Sequence, residues 1–361
     1  MESLKHNSRI LPIIQAILAA LLFGASAPFA KILLGEVEPV TLAGLLYLGS
    51  GLALLLLFLV RRLFVRQFHN EAGLEKSDIK WLAGAVLAGG VAAPILQMFG
   101  LRGTPGSTAS LLLNFETVAT TLIAALIFKE HIGKRAWRAI LLITLASILL
   151  SLNLKGGWGI SLGALGVLGA CILWGVDNNF TRNISGKDPQ TIVMVKGLAA
   201  GAFSLTLAML LGNTLPNTGV ILKSMLLGSL SYGLSIILFI RAMRGLGAAR
   251  TSALFATAPL AGILFSFIFL RETPSIMLLA AFPLMALGMV FLLTEEHHHM
   301  HLHMAVIHEH THRHDDGHHD HEHEEAVDPL VRHFHVHEHT DTKHDHEHMP
   351  DIDHRHEHEN E

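Results

Sequence analysis

The chain has 361 residues, 51% of them hydrophobic, with a formal net charge of −4 and one cysteine, Cys171. A single thiol excludes a disulfide framework or a cysteine-built zinc site within one chain. The charge averages two unlike regions, so it says little about partners, and nucleic acid is not among those expected: residues 1–296 carry 22 Lys and Arg against 13 Asp and Glu, whereas residues 297–361 carry 4 against 17 and hold 23 of the 26 histidines.

Lys5 and Arg9 precede the first apolar stretch, and Ala25-Ser26-Ala27 has the look of a signal-peptidase site. Pro28 directly after the cut is unfavourable, so the stretch reads as an uncleaved first helix. A hydrocarbon core about 30 Å thick takes about 20 apolar residues as helix, since every peptide group there must be hydrogen-bonded within its own segment. Ten such runs follow in chain order, at 10–34, 40–60, 81–101, 107–128, 136–153, 158–180, 190–212, 219–240, 251–270 and 275–294. The connections are short except for the charged 61–80. With the N-terminus inside, the inner segments hold 16 Lys and Arg, among them Arg61, Arg62, Lys134, Arg135 and Arg241, and the outer segments five. That bias puts both termini in the cytoplasm of a multi-pass protein of the cell membrane.

The chain also repeats itself. Leu22-Phe23-Gly24 through Phe29, Lys31 and Gly35 matches Leu173-Trp174-Gly175 through Phe180, Arg182 and Gly186. Further on, Gly103, Ser110, Leu112 and Phe128-Lys129-Glu130 match Gly245, Ser252, Leu254 and Leu270-Arg271-Glu272. Five spans per copy is an odd number, so the copies run in opposite orientations, an arrangement suited to alternating access around a central site. The expected fold is an all-α membrane protein of ten transmembrane helices. It divides into two inverted five-helix repeats, 10–153 and 158–294, and a disordered histidine-rich tail over 295–361. The G-x-x-x-G spacings Gly159/Gly163 and Gly197/Gly201 are expected to let helices approach closely. Lys129-Glu130 and Arg271-Glu272 are expected to anchor helix ends at the interface.

On these residues the chain resembles the drug/metabolite transporter superfamily, in particular its EamA-like families, over about 10–294. Leu113-Asn114-Phe115-Glu116-Thr117 is similar to that family's Leu-Glu-Pro pattern, with Thr117 in place of proline; Ala258-Pro259 keeps the proline and lacks the acid. The resemblance implies a ten-helix bundle of two inverted repeats that moves small organic solutes, often outward.

Ionisable groups at membrane depth are costly and mark cavities or paired sites. Three places qualify: Glu116 beside Asn114 in the fourth run, Asp177 with Asn178 in the sixth, and Lys196 in the seventh. Read functionally, they line a central cavity and meet solute or a coupling proton. Read structurally, Glu116 and Lys196 form an ion pair and Asp177 sits near the interface. Gly24 and Pro28 can break the first helix and expose backbone to a cavity, or simply serve packing.

The tail carries the strongest local signal. Its histidines cluster as His297, His298, His299, His301 and His303, then His318, His319, His321 and His323, then His333, His335, His337 and His339, and last His344, His346 and His348. Imidazole with interleaved carboxylates suits Zn²⁺, Ni²⁺, Co²⁺ or Cu²⁺. The alternative is a solvated acidic tail. No cofactor is required by anything in the sequence. No enzyme motif is present: there is no H-E-x-x-H, G-x-S-x-G or nucleotide loop. The reading is a secondary transporter, an exporter of small organic metabolites or drugs, with a metal-binding regulatory tail. The expected partners are a small solute, the bilayer, divalent metal at the tail and a second copy of the chain in a homodimer. The second reading is a carrier of divalent metal itself, which lacks a histidine inside any predicted span.

Overall fold

The three-dimensional structure is a computed structural model, which describes residues 2–64, 73–128, 133–153, 159–184, 187–246, 251, 254–255, 257–293, 300–303, 306–312, 333–339 and 342–345. Helix α1 (Glu2–Gly24) is followed, after a turn at Ala25, by α2 (Ser26–Leu33). Next comes α3 (Pro39–Phe64). The third predicted run is an α–π–α rod, α4 (Ile79–Ala85), a π-helix (Val86–Ala92) and α5 (Ala93–Arg102). The fourth is α6 (Gly106–Leu112) and α7 (Phe115–Phe128), broken at Leu113-Asn114. Then follow α8 (Lys134–Ser151), α9 (Leu162–Arg182) and α10 (Pro189–Leu210). The eighth run is again α–π–α, with α11 (Thr218–Gly228), a second π-helix (Ser229–Leu234) and α12 (Ser235–Leu246). Helices α13 (Ala258–Phe269) and α14 (Ile276–Leu293) complete the apolar part.

Local chemistry sets several of these boundaries. Asp188 accepts hydrogen bonds from the backbone of Gln190 (3.0 Å) and Thr191 (3.2 Å), with Pro189 as the first helical residue of α10. Asn217 caps α11 through the Val220 N–H at 3.0 Å, and Ser161 caps α9 through that of Ala164 at 3.2 Å.

Among the described residues, six helical stretches are long and apolar enough to cross a membrane: Ile10–Leu33, Pro39–Leu63, Lys76–Arg102, Gly106–Ile127, Pro189–Leu210 and Thr218–Ala242. Ala258–Phe269 and Ile276–Phe291 are apolar but shorter. The protein is therefore a multi-pass membrane protein. Helices α8 and α9 coincide with the fifth and sixth predicted runs but are more polar. The first carries Lys134, Arg135 and Arg138; the second carries Asp177, Asn178 and Asn179 in its last turns.

Helix α3 packs against α10 and α11, α1 against α12 and α13, α9 against α5 and α7, α6 against α13, and α8 against α14. Small residues make the closest of these contacts. A Cβ on Gly201 would lie 2.5 Å from Leu48 N, and one on Gly197 2.7 Å from Gly51 N, so the Gly197/Gly201 pair seats α10 on α3. The Gly159/Gly163 pair does not share a helix. Gly159-Ile160 forms a short strand, β2, paired antiparallel with β1 (Leu152–Asn153), and α9 begins only at Leu162. The chain doubles back there, which spacing alone does not reveal. Large apolar side chains such as Leu126 and Leu210 point outward, as lipid-facing residues do.

Four short segments of the tail lie among the described residues. Its described backbone forms β3 (Met300–His303) paired antiparallel with β6 (Thr342–Asp345), and β4 (Val306–His312) paired antiparallel with β5 (His333–His339). Histidine occupies every second position, at His308, His310 and His312 of β4 and His333, His335, His337 and His339 of β5, a period-two pattern. The register sets His308 opposite His337, His310 opposite His335 and His312 opposite His333. His301, His303 and His344 also lie on strands. His297, His298, His299, His318, His319, His321, His323, His346 and His348 lie outside the described residues, as do Lys129-Glu130.

Candidate functional site

Helix α9 presents Asp177, Asn178 and Asn179 in consecutive positions, each turned about 100° from the last, so the three side chains leave the helix in different directions. Asn179 is buried and donates to the carbonyls of Gly175 (2.8 Å) and Thr120 (3.1 Å), tying α9 to α7. Asn178 donates to Glu116 Oε1 at 2.8 Å and to Thr120 Oγ1 at 3.1 Å. Asp177 is buried, accepts from Thr181 Oγ1 at 3.0 Å, and forms an ion pair with Lys196 of α10.

This corrects the expected pairing. The structural alternative joined Lys196 to Glu116; the partner of Lys196 is Asp177, because the Asp177 face of α9 is the one turned toward the first π-helix and Lys196 beyond it. Glu116 instead faces Asn178. The Asp177 carboxylate rests on Gly89, midway along the Lys76–Arg102 span.

Glu116 stands in the first turn of α7, midway along the Gly106–Ile127 span and just after the break at Leu113-Asn114. The break exposes carbonyls that nearby groups cover. Thr117 Oγ1 donates to Asn114 O at 2.8 Å, and the Cys171 thiol lies 3.6 Å from Leu112 O. The Asn114 side chain is buried and donates to Leu111 O at 3.3 Å, so it mends the break and does not join the Glu116 cluster.

Gly24 and Pro28 also lie elsewhere. The helix does interrupt here, at Ala25, yet a Cβ on Gly24 would lie 2.2 Å from Ala258 O and 2.9 Å from Ala261 Cβ. Gly24 is thus where α13 crosses α1, and Pro28 is buried within α2. Packing is the role its surroundings support.

Three participants were not singled out from sequence. Tyr47 of α3 and Trp174 of α9 both donate to the carbonyl of Gly89, at 2.7 and 3.0 Å. The Tyr47 ring stacks on Tyr232 of the second π-helix with centroids 5.6 Å apart, and Phe23 meets Tyr232 edge-on at 6.1 Å. Tyr47 and Tyr232 are the two tyrosines of the chain, which was the available signal.

Charged residues also hold the ends of the bundle. Lys31 Nζ donates to the carbonyls of Leu101 (2.8 Å) and Thr104 (2.5 Å), at the C-terminus of α5. Glu272 accepts from the backbone of Gly106 (2.6 Å) and Ser107 (2.9 Å) and from Ser107 Oγ (2.6 Å). A cation on the end of one helix and an anion on the start of the next complement both dipoles. Glu272 is thus a helix cap across the bundle, more specific than an interfacial anchor. At the far end of the third span, Lys187 pairs with Glu75 at 2.5 Å, and its hydrogen bond and charge hold that carboxyl below its ordinary range.

Among the described residues, no group of three or more His, Cys, Asp or Glu side chains is placed to hold a metal ion.

Comparison with known proteins gives concordant results. The model of the EamA-like transporter family matches the chain twice, over residues 10–152 and 161–294. An uncharacterized transporter of Methanothermobacter thermautotrophicus (strain Delta H) is 31% identical over 291 residues, covering 75% of this chain and 83% of the relative. A crystal structure of a protein 20% identical in sequence superposes with a TM-score of 0.57 over 79% of this chain and 96% of its own, a likeness of fold alone.

Proposed function

The chain belongs to the EamA-like transporter family, and from that premise we propose that it exports small organic solutes by alternating access between two inverted five-helix repeats, 10–153 and 158–294. It works on a small-molecule solute within a lipid bilayer. The observation that carries the reading is the Glu116–Asn178 hydrogen bond beside the Asp177–Lys196 pair. Polar and charged groups from α7, in the first half, and from α9 and α10, in the second, converge at mid-membrane depth, where such groups are costly unless they serve a site.

Repeated packing supports the two-repeat arrangement. Exchanging the halves turns the α1–α12 contact into the α9–α5 contact and the α1–α13 contact into the α9–α7 contact, while α3–α10, α6–α13 and α8–α14 map onto themselves. The two π-helices agree as well. Shifting Val86–Ala92 by the offset that relates Gly103 to Gly245 lands on residues 228–234, and the second π-helix is Ser229–Leu234. The family model's two consecutive matches divide the chain at nearly the same place. A site on the axis between two such halves is reached from alternate sides as they rock.

In this reading both termini are cytoplasmic in the cell membrane, and the tail is a divalent-metal-binding regulator outside the translocation path. The test is reconstitution of the full chain in liposomes, with uptake of candidate amino acids, nucleosides and Zn²⁺ or Ni²⁺ measured with and without a proton gradient. Flux of an organic solute that Glu116→Gln reduces supports the reading; flux of the metal alone replaces it with metal transport.

A further inference from the structure

The π-helix Val86–Ala92 lies where four elements meet, and its backbone explains why. Ala93 N–H donates to Ala88 O, five residues back, the π register. In that register the next donor, for Gly89 O, belongs to residue 94. Residue 94 is proline, which has no N–H. The Gly89 carbonyl is therefore left without a donor from its own rod, and a buried carbonyl in that state needs one from elsewhere. The Tyr47 hydroxyl and the Trp174 indole supply it, from α3 and α9.

The other side of Gly89 is equally occupied. A Cβ there would lie 1.9 Å from Asp177 Oδ2 and 2.2 Å from its carboxyl carbon. Only a residue without a side chain lets that carboxylate reach Lys196. The next residue, Gly90, runs against α10, where a Cβ would lie 2.7 Å from Ala200 Cβ and 3.6 Å from Lys196 Cγ.

The second π-helix is built differently. Ser231 stands where Gly89 does under the repeat offset, and its hydroxyl donates to Leu22 O at 2.7 Å. The residue five further on is Ile236, which keeps its N–H. The arrangement at Gly89 is therefore not a by-product of the duplicated backbone.

We propose that Gly89 is the positioning residue of the Asp177–Lys196 pair: its missing side chain seats the carboxylate, and its proline-freed carbonyl, gripped by Tyr47 and Trp174, fixes the rod that the carboxylate rests on. The significance of the pair for transport rests on the function proposed above. The positioning itself does not, and it is tested without any solute.

The experiment uses full-length protein in detergent and reads two quantities. One is the unfolding midpoint; the other is modification of Lys196 by a water-soluble amine reagent, mapped by mass spectrometry. Gly89→Ala should raise Lys196 modification at least about tenfold, since it detaches one partner of a buried pair. It should also lower the midpoint, and that loss should disappear in an Asp177→Gly/Lys196→Met background, where neither the carboxylate nor its Cβ is there to be displaced. Gly90→Ala, whose Cβ would meet Ala200, should lower the midpoint equally in both backgrounds. A second arm covers a Gly89→Ala chain that does not fold. Trp174→Phe should raise Lys196 modification in the natural sequence but not with Pro94→Ala, which returns a backbone donor to the Gly89 carbonyl. The proposal is overturned if Gly89→Ala leaves Lys196 protected, if its midpoint loss is the same in both backgrounds, or if Pro94→Ala does not blunt the effect of Trp174→Phe. Normal labelling results together with absent solute flux would count against the transport reading and leave Gly89's role standing.

Discussion

Lys196 is bound to Asp177, nineteen residues earlier in the chain, and not to Glu116. Both partners are largely buried, with 17% and 4% of their side chains exposed. Removing one charge from such a pair strands the other, at a cost of about 3–5 kcal/mol, whereas removing both is far milder. Asp177→Asn and Lys196→Met should each lower the unfolding midpoint and the yield of folded protein. The double variant Asp177→Asn/Lys196→Met should be less damaged than the two single effects combined. Strict additivity would show that the two side chains do not act as a pair.

The Glu272 carboxylate accepts three hydrogen bonds from the first turn of α6. Glu272→Ala leaves two backbone N–H groups without that partner, so it should cost about 1–3 kcal/mol of stability. Denaturation of the variant in detergent measures this. A loss equal to that of an ordinary surface substitution, within about 0.5 kcal/mol, would mean the cap is dispensable.

Much of this architecture was legible in sequence. The run predicted at 40–60 is α3, Pro39–Phe64, and that at 190–212 is α10, Pro189–Leu210, because uninterrupted apolar residues leave only helix at membrane depth. The polar residues Glu116, Asn178, Asp177 and Lys196 stood out for the same reason, and they do cluster. Their pairing did not show, because it depends on which face of α9 turns toward the first π-helix and Lys196 beyond it, and on a turn of about 100° between Asp177 and Asn178. Gly89 was harder still. Its importance lies in a side chain it lacks and in a proline five residues later, and neither has a periodic signature. Asn114 stands out in sequence for its proximity to Glu116, yet it sits in the helix break itself, and its side chain donates to Leu111 O.

Lys187 holds the Glu75 carboxyl below its ordinary range, by its hydrogen bond first and its charge second. A carboxyl lowered in the folded state adds stability above its unfolded value, and loses that contribution as pH falls through the folded-state value. Wild type should therefore be more stable than Glu75→Gln at neutral pH, by a small margin because Glu75 is exposed. The difference should start to shrink as pH falls below the ordinary carboxyl value of about 4.3 and vanish only below the lowered folded-state value, where the carboxyl is protonated in both states. A difference that persists in acid would assign it to packing.

Reporter fusions after Asn213 should read outside, and fusions after Arg66 or Glu361 cytoplasmic, as the Lys/Arg bias requires. An extracellular C-terminus would remove the ten-span arrangement proposed above.

A chain truncated after Glu296 should insert and still move its solute, while losing most binding of Zn²⁺ or Ni²⁺ and any metal-dependent change in rate. Abolished transport in a folded, truncated bundle would place the tail in the path.

The most direct test of the account is solute flux into liposomes carrying equal amounts of folded wild-type and Glu116→Gln protein, with and without a proton gradient. Glu116→Gln keeps an oxygen for Asn178 to donate to and removes only the carboxylate at the centre of the bundle. The account predicts normal insertion, impaired flux and loss of the response to the gradient. Unchanged flux with an unchanged response to the gradient would contradict it.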